Sequence, residues 1–152
     1  MSQPVIWPIQ FTVSAPAHAN PLVEVNLPAP RQAGVYTIRT ADYHVRLEPG
    51  VIYTWSVSVI LNPKARSRDI VASASLLRIA GDLSIDSALR GAPRSQRAVL
   101  LAEAGLWYDA VDAAADLQAF DRHAALDALM KEVGLVEPAK YDSETTGIDY
   151  AR

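Results

Sequence analysis

The chain has 152 residues, half of them hydrophobic and a fifth charged, with a formal net charge of −3 and no cysteine. That length suffices to bury a core, and the composition excludes disordered, collagenous and disulfide-scaffold classes together with thiolate metal sites and cysteine nucleophiles. Charge is uneven: residues 1–98 carry 10 Lys/Arg against 6 Asp/Glu, residues 99–152 carry 4 against 11, a distribution that excludes a general nucleic-acid binder and suits two parts that attract each other or a partner.

The longest apolar runs, Val57 to Leu61 and Val99 to Ala102, fall far short of the roughly 20 residues a bilayer demands, so no membrane span is expected. The N-terminal "MSQPVIWPIQ" has no basic region leading into an apolar stretch, so no secretory signal is read there.

Up to about residue 80 the pattern is short β segments punctuated by Pro, Gly and Asn. "VIWPIQFTV" is a first candidate, with Pro8 suited to an edge or a bulge. "LVEVNL" alternates through Val23, Val25 and Leu27, and "VYTIRT" puts Tyr36, Ile38 and Thr40 on one side. "YTWSVSVIL" is the clearest: Tyr53, Trp55, Val57, Val59 and Leu61 face the core and alternate with Thr54, Ser56, Ser58 and Ile60. "DIVASASLLRI" follows. Five strands without intervening helical period predict a small antiparallel, immunoglobulin-like β-sandwich over residues 4–80. Within it "RLEPGVIYTWSV" resembles the tyrosine corner of fibronectin type III and related domains. Leu47, Pro49 and Gly50 would shape the corner, and the Tyr53 hydroxyl would bond to nearby backbone.

From Pro93 the period becomes helical. "RSQRAVLLAEAGL" stops at Gly105, with Leu106 placed to return onto Leu101. In the next helix Trp107, Ala110, Val111, Ala114, Leu117 and Phe120 form an apolar stripe, with Asp109, Asp112 and Asp116 on the other side. A third helix, "AALDALMKEVGL", aligns Leu126, Leu129, Met130 and Val133 and ends at Gly134-Leu135. The Gly-aromatic turn resembles the helical hairpin of tetratricopeptide-like repeats. The class expected is α+β: the sandwich, a three-helix unit over residues 84–135 that caps it, and an extended or disordered polar tail over 136–152.

Residues that could carry chemistry are few. His18, His44 and His123 lack metal-ligand spacing, and Asp42 with His44 has no accompanying nucleophile elbow. Asp82, Ser84 and Asp86 begin like a calcium loop, but Ser87 and Pro93 stand where Gly and Glu are required. No catalytic residue, cofactor site or metal site is assigned, and no enzyme is expected. Lys64, Arg66 and Arg68 place three cations in one loop: a solvated turn with an Arg–Asp pair, or a site for an acidic partner. Asp109, Asp112 and Asp116 could form an acidic docking face, and Trp7 could stack on a sugar.

Taken in order, "PLVEVNL", "AGVYTIRTADYHVRLEPGVIYTWSV", "NPKARSRDIVAS" and "RAVLLAEAGLWYDAVDAAADL" resemble a bacterial family known only as domain of unknown function nine-two-eight. The resemblance covers roughly residues 5–135 and implies an exported protein, periplasmic or extracellular, with no catalytic residues to carry over. The function expected is a non-catalytic protein-interaction or assembly module of the cell envelope, with a protein partner, no nucleic acid and a possible homo-oligomer. A carbohydrate-binding sandwich is the alternative.

Overall fold

In a computed structural model, residues 6–30, 36–135 and 148–149 are described. They divide into two compact units, one of residues 6–30 and 38–80 and one of residues 36–37, 81–135 and 148–149. The class is α+β, with the main sheet N-terminal and the helices C-terminal.

In the first unit β1 (Ile9–Ser14), β2 (Val23–Leu27), β4 (Ile52–Val59) and β5 (Ile70–Leu77) form one antiparallel sheet in the order β2-β1-β4-β5. β1 is therefore internal, which corrects its expected edge position. Pro8 lies just before its start, where no ladder donor is lost, and its carbonyl accepts the Ile60 N–H at 2.9 Å. β3 (Tyr36–Thr37) is a two-residue strand of the second unit, paired in parallel with β6 (Ile148–Asp149). "VYTIRT" thus contributes far less strand than its alternation predicts, and a 3-10 turn follows at Thr40–Tyr43.

The register sorts side chains by face. Thr12 lies opposite Ser56, and Ser56 opposite Ser73; Val13 lies opposite Val23 and Trp55. Since directly paired residues share a face, one side carries Thr12, Ser14, Thr54, Ser56, Ser58, Ser73 and Ser75 together with exposed Ile52, Val71 and Leu77, and the other carries Phe11, Val13, Val23, Val25, Tyr53, Trp55 and Leu76. Thr12 and Ser56 hydroxyls meet at 2.6 Å.

Val13, Ala15, Val23 and Tyr53 form the buried cluster on the apolar side, packed by Phe11, Val25 and Trp55 and by Leu22, Val45, Leu47 and Val51. Those last four lie in connecting segments, not strands. Among the described residues the sandwich's second sheet is absent, and irregular chain supplies the covering layer. Ile60, expected to face outward, is buried because the strand ends at Val59 and the chain turns inward.

The tyrosine corner is present as local geometry. Tyr53 is buried and its hydroxyl accepts the Glu48 N–H at 2.7 Å. Gly50 adopts φ +80, and its N–H reaches the Arg78 carbonyl at 2.8 Å while the Arg78 guanidinium donates to the Leu47 carbonyl.

The second unit contains four described helices, not three: α1 (Leu83–Gly91), α2 (Arg94–Glu103), α3 (Trp107–Ala115) and α4 (Ala119–Glu132). The additional helix is the segment that begins like a calcium loop. Asp82 caps it by accepting the Ser84 N–H at 2.8 Å and the Ser84 hydroxyl at 2.6 Å. These two bonds hold the Asp82 carboxyl below its ordinary pKa.

Both Gly-Leu stops are Schellman caps. Gly105 has φ +75, its N–H reaches the Ala102 carbonyl, and the Leu106 N–H reaches Leu101 at 2.9 Å. Gly134 has φ +79, and the Leu135 N–H reaches Met130 at 2.7 Å.

Ala98, Leu101, Ala110, Ala114, Leu126 and Leu129 make this unit's core. The small Ala110 and Ala114, fully buried, let α3 approach its neighbours closely. Trp107 is half-buried and its indole N–H points to the Leu129 carbonyl of α4 at 3.5 Å. The expected stripe is cut short, because α3 ends at Ala115 and Phe120 belongs to α4. Val133, placed on the core stripe of the last helix, is exposed beyond that helix's end. The polar tail lies outside the described residues apart from Ile148–Asp149, which are paired in β6 and not free chain.

Candidate functional site

Asp109, Asp112 and Asp116 occur at spacings of three and four, so one side of α3 and its C-cap, Asp116, carries all three carboxylates in two turns. α2 opens with Arg94 and Arg97, separated by one turn. The turn at Gly105 brings the two helices together, and the five charged side chains line a single cleft of about 370 Å³. Leu89 of α1, Leu101 of α2, and Ala113 and Leu117 complete its lining.

The charges in this cleft do not pair with one another. Arg97 donates to the Ala92 carbonyl at 3.3 Å. Among the described residues, neither arginine forms an ion pair within 4 Å with any of the three carboxylates. Two guanidiniums and three carboxylates thus line the same concavity without cancelling. A ligand with groups of both signs can satisfy them, through charge-assisted hydrogen bonds that are shorter and stronger than neutral ones. The Asp trio was legible in the sequence as a helical face; Arg94 and Arg97 were not. Their one-turn spacing directly after Pro93 was the available signal, but only the α2–α3 packing shows what they oppose.

The basic loop is divided differently. Asn62 accepts the Lys64 N–H at 2.9 Å and shapes the turn. Arg66 is engaged by Asp69 and also donates to Gln10 Oε1 at 2.8 Å, while Gln10 donates to Glu24 at 3.1 Å. The Asp69 side chain is only 4% exposed, and its Oδ1 has no hydrogen-bond partner among the described residues. Arg66 is therefore a structural strap that secures the loop to β1, and among the described residues the Lys64 and Arg68 side chains form no ion pair. Of Lys64, Arg66 and Arg68, it is Arg66 that forms the expected Arg–Asp pair.

Trp7 is 42% exposed and precedes β1. Asp42 and His44 are exposed on the 3-10 turn and its left-handed cap, with no hydrogen bond joining their side chains. Among the described residues no group of three or more His, Asp or Glu could hold a metal ion, and no described helix is long and apolar enough to cross a membrane.

Across residues 3–142 the sequence matches the family model described as Domain of Unknown Function (DUF928). The chain belongs to the DUF928 family. No curated protein and no solved structure matches it. The resemblances to fibronectin type III and tetratricopeptide folds therefore stand on local motifs alone in this DUF928 chain: the Tyr53 corner and the Gly105 cap. The match ends inside the tail, so both the α2–α3 cleft and the Arg66 strap are part of the DUF928 region.

Proposed function

We propose that this DUF928 chain is a non-catalytic protein-interaction and assembly module of the bacterial cell envelope that recruits a partner strand to its sheet. The observation that carries this reading is the outer edge of β5. It is an eight-residue strand, Ile70–Leu77, without a charged residue or proline, and no described strand pairs with its outer side. Ile70 is 62% exposed, Val71 58% and Leu77 53%, with exposed Ile52 on the adjacent strand and Ile79 just beyond. Long, uncharged, apolar edges are what soluble proteins ordinarily blunt with Lys, Pro or bulges. An apolar edge that no described strand covers supports strand addition, in which main-chain hydrogen bonds supply affinity and alternate side chains supply selectivity. Placement in the envelope follows the export expected of the family.

The test introduces charge on the edge without disturbing the β4 ladder. Val71→Lys/Ser73→Lys places two cations at exposed positions. Wild-type protein should self-associate or cross-link to a defined envelope partner, and the variant should lose this while keeping its thermal transition. If the wild type stays monomeric and uncross-linked at high concentration in an envelope extract, or the variant behaves like the wild type, the reading fails.

Exposed Trp7 favours a second reading, carbohydrate binding by ring stacking. A glycan array in which wild-type protein binds no sugar, or in which Trp7→Ala binds equally well, removes it.

A further inference from the structure

We propose that the α1–α3 cleft is a binding site for an extended peptide segment in which basic and acidic residues alternate. The proposal deepens the interaction reading and rests on it for the polypeptide nature of the ligand, but it uses the helical unit and does not depend on the β5 edge.

The argument begins with the opposed charges. Asp109 and Asp112 come from α3 and Asp116 from its C-cap, Arg94 and Arg97 from α2, and among the described residues no ion pair within 4 Å closes between them. Net charge in the cleft is therefore −1 with both signs on offer, which selects a ligand with more cationic groups than anionic ones. Its volume of about 370 Å³ is within the usual small-site range of roughly 300–1,000 Å³.

Dimensions select the ligand's conformation. With a helical rise of about 1.5 Å per residue, the acidic row from Asp109 to Asp116 is about 10 Å long. An extended peptide advances about 3.3 Å per residue and sends successive side chains to opposite sides. The first and third side chains of an extended tripeptide therefore lie about 6.6 Å apart, within the row and on the same side. In a basic-acidic-basic segment the outer two side chains turn to the carboxylates and the middle one to the guanidiniums. Leu89, Leu101 and Leu117 supply apolar surface for the aliphatic stems of lysine or arginine.

The test uses the full chain and the blocked tripeptide acetyl-Lys-Asp-Lys-amide, followed by amide chemical-shift titration at low salt. Saturable shifts confined to α1–α3 are expected. The charge-reversed acetyl-Glu-Lys-Glu-amide should bind about tenfold more weakly or not at all, and added salt should weaken the cognate peptide. Asp109→Asn/Asp112→Asn/Asp116→Asn keeps side-chain shape and should cost about tenfold in affinity. Arg94→Gln/Arg97→Gln should abolish the preference for acetyl-Lys-Asp-Lys-amide over acetyl-Lys-Asn-Lys-amide. Absence of saturable shifts, shifts outside α1–α3, or equal binding of the reversed peptide overturns the proposal. Free lysine binding as tightly as the tripeptide also overturns it, by assigning the cleft to a small cation. Because Val71→Lys/Ser73→Lys leaves α1–α3 untouched, a failed edge and a failed cleft are read separately.

Discussion

The hydroxyl of Tyr53 accepts the backbone N–H of Glu48 at 2.7 Å, and the two residues bracket the Pro49-Gly50 corner that leads into β4. The ring is buried beside Val13 and Val23, so one side chain both anchors the core and fixes the entry of the sheet's longest internal strand. Tyr53→Phe keeps the packing and leaves the half-buried donor unpaired. The expected cost is about 1–3 kcal/mol, read as a lower urea midpoint with an unchanged slope. A midpoint equal to wild type would show that the corner is held by packing alone.

The Gly105 cap makes a sharper prediction about backbone conformation. At φ +75 an L side chain crowds the following carbonyl at a cost of about 1–2 kcal/mol, so Gly105→Ala should lower stability by that amount. Gly91 has no positive φ and open space at its Cβ position. Gly91→Ala, at the end of α1, should be neutral or raise stability by up to about 1 kcal/mol. Equal losses in the two variants would refute the cap assignment.

Removing Arg66 should hurt more than removing the whole pair. Arg66→Ala strands the carboxylate of Asp69, whose side chain is 4% exposed, at an expected cost of about 1–3 kcal/mol. Arg66→Ala/Asp69→Ala removes the stranded charge as well and should recover part of that loss. Thermal unfolding of both variants decides the matter, and a double variant less stable than Arg66→Ala contradicts the strap.

The Asp82 cap makes stability depend on pH in one direction. Ser84's hydroxyl and N–H hold the folded carboxyl below the ordinary value of 3.8, so the ionised cap favours the folded state. That contribution is present above the unfolded-state pKa and is lost as pH falls from there through the lower folded value. Asp82→Ala should therefore melt below wild type at neutral pH, and the gap between the two melting temperatures should shrink on acidification. A gap that widens toward low pH would falsify the sign.

Local chemistry was the part of this molecule most open to reading from sequence. The period of two in "YTWSVSVIL", the Gly-Leu stops at 105 and 134, and the spacing that sets Asp109, Asp112 and Asp116 on one helical side are all short-range. Each depends on residues a few positions apart, where backbone sterics and pleat alternation act directly. In "DLSIDSALRGAP" Ser87 and Pro93 already exclude a calcium loop, but the helix there is not expected from the sequence, and it is the Ser84–Asp82 bonds that make Asp82 its cap.

Long-range pairing decided the rest. Alternation predicts that a strand has an apolar side but not what covers it, and here irregular segments carrying Val45, Leu47 and Val51 do what a second sheet was expected to do. The neighbours in the sheet, which leave the outer side of β5 without a described strand and align hydroxyls across three strands, are a property of register between segments distant in sequence. Likewise, Arg94 and Arg97 gain meaning only when α2 folds back on α3 to face three carboxylates. The sequence by itself determined the alternation of β4, the helix stops at Gly105 and Gly134 and the spacing of the three aspartates. Tertiary structure alone decided which charges share a cleft and which described strands pair, because such neighbours are chosen by packing between segments and not by the residues next to them in the chain.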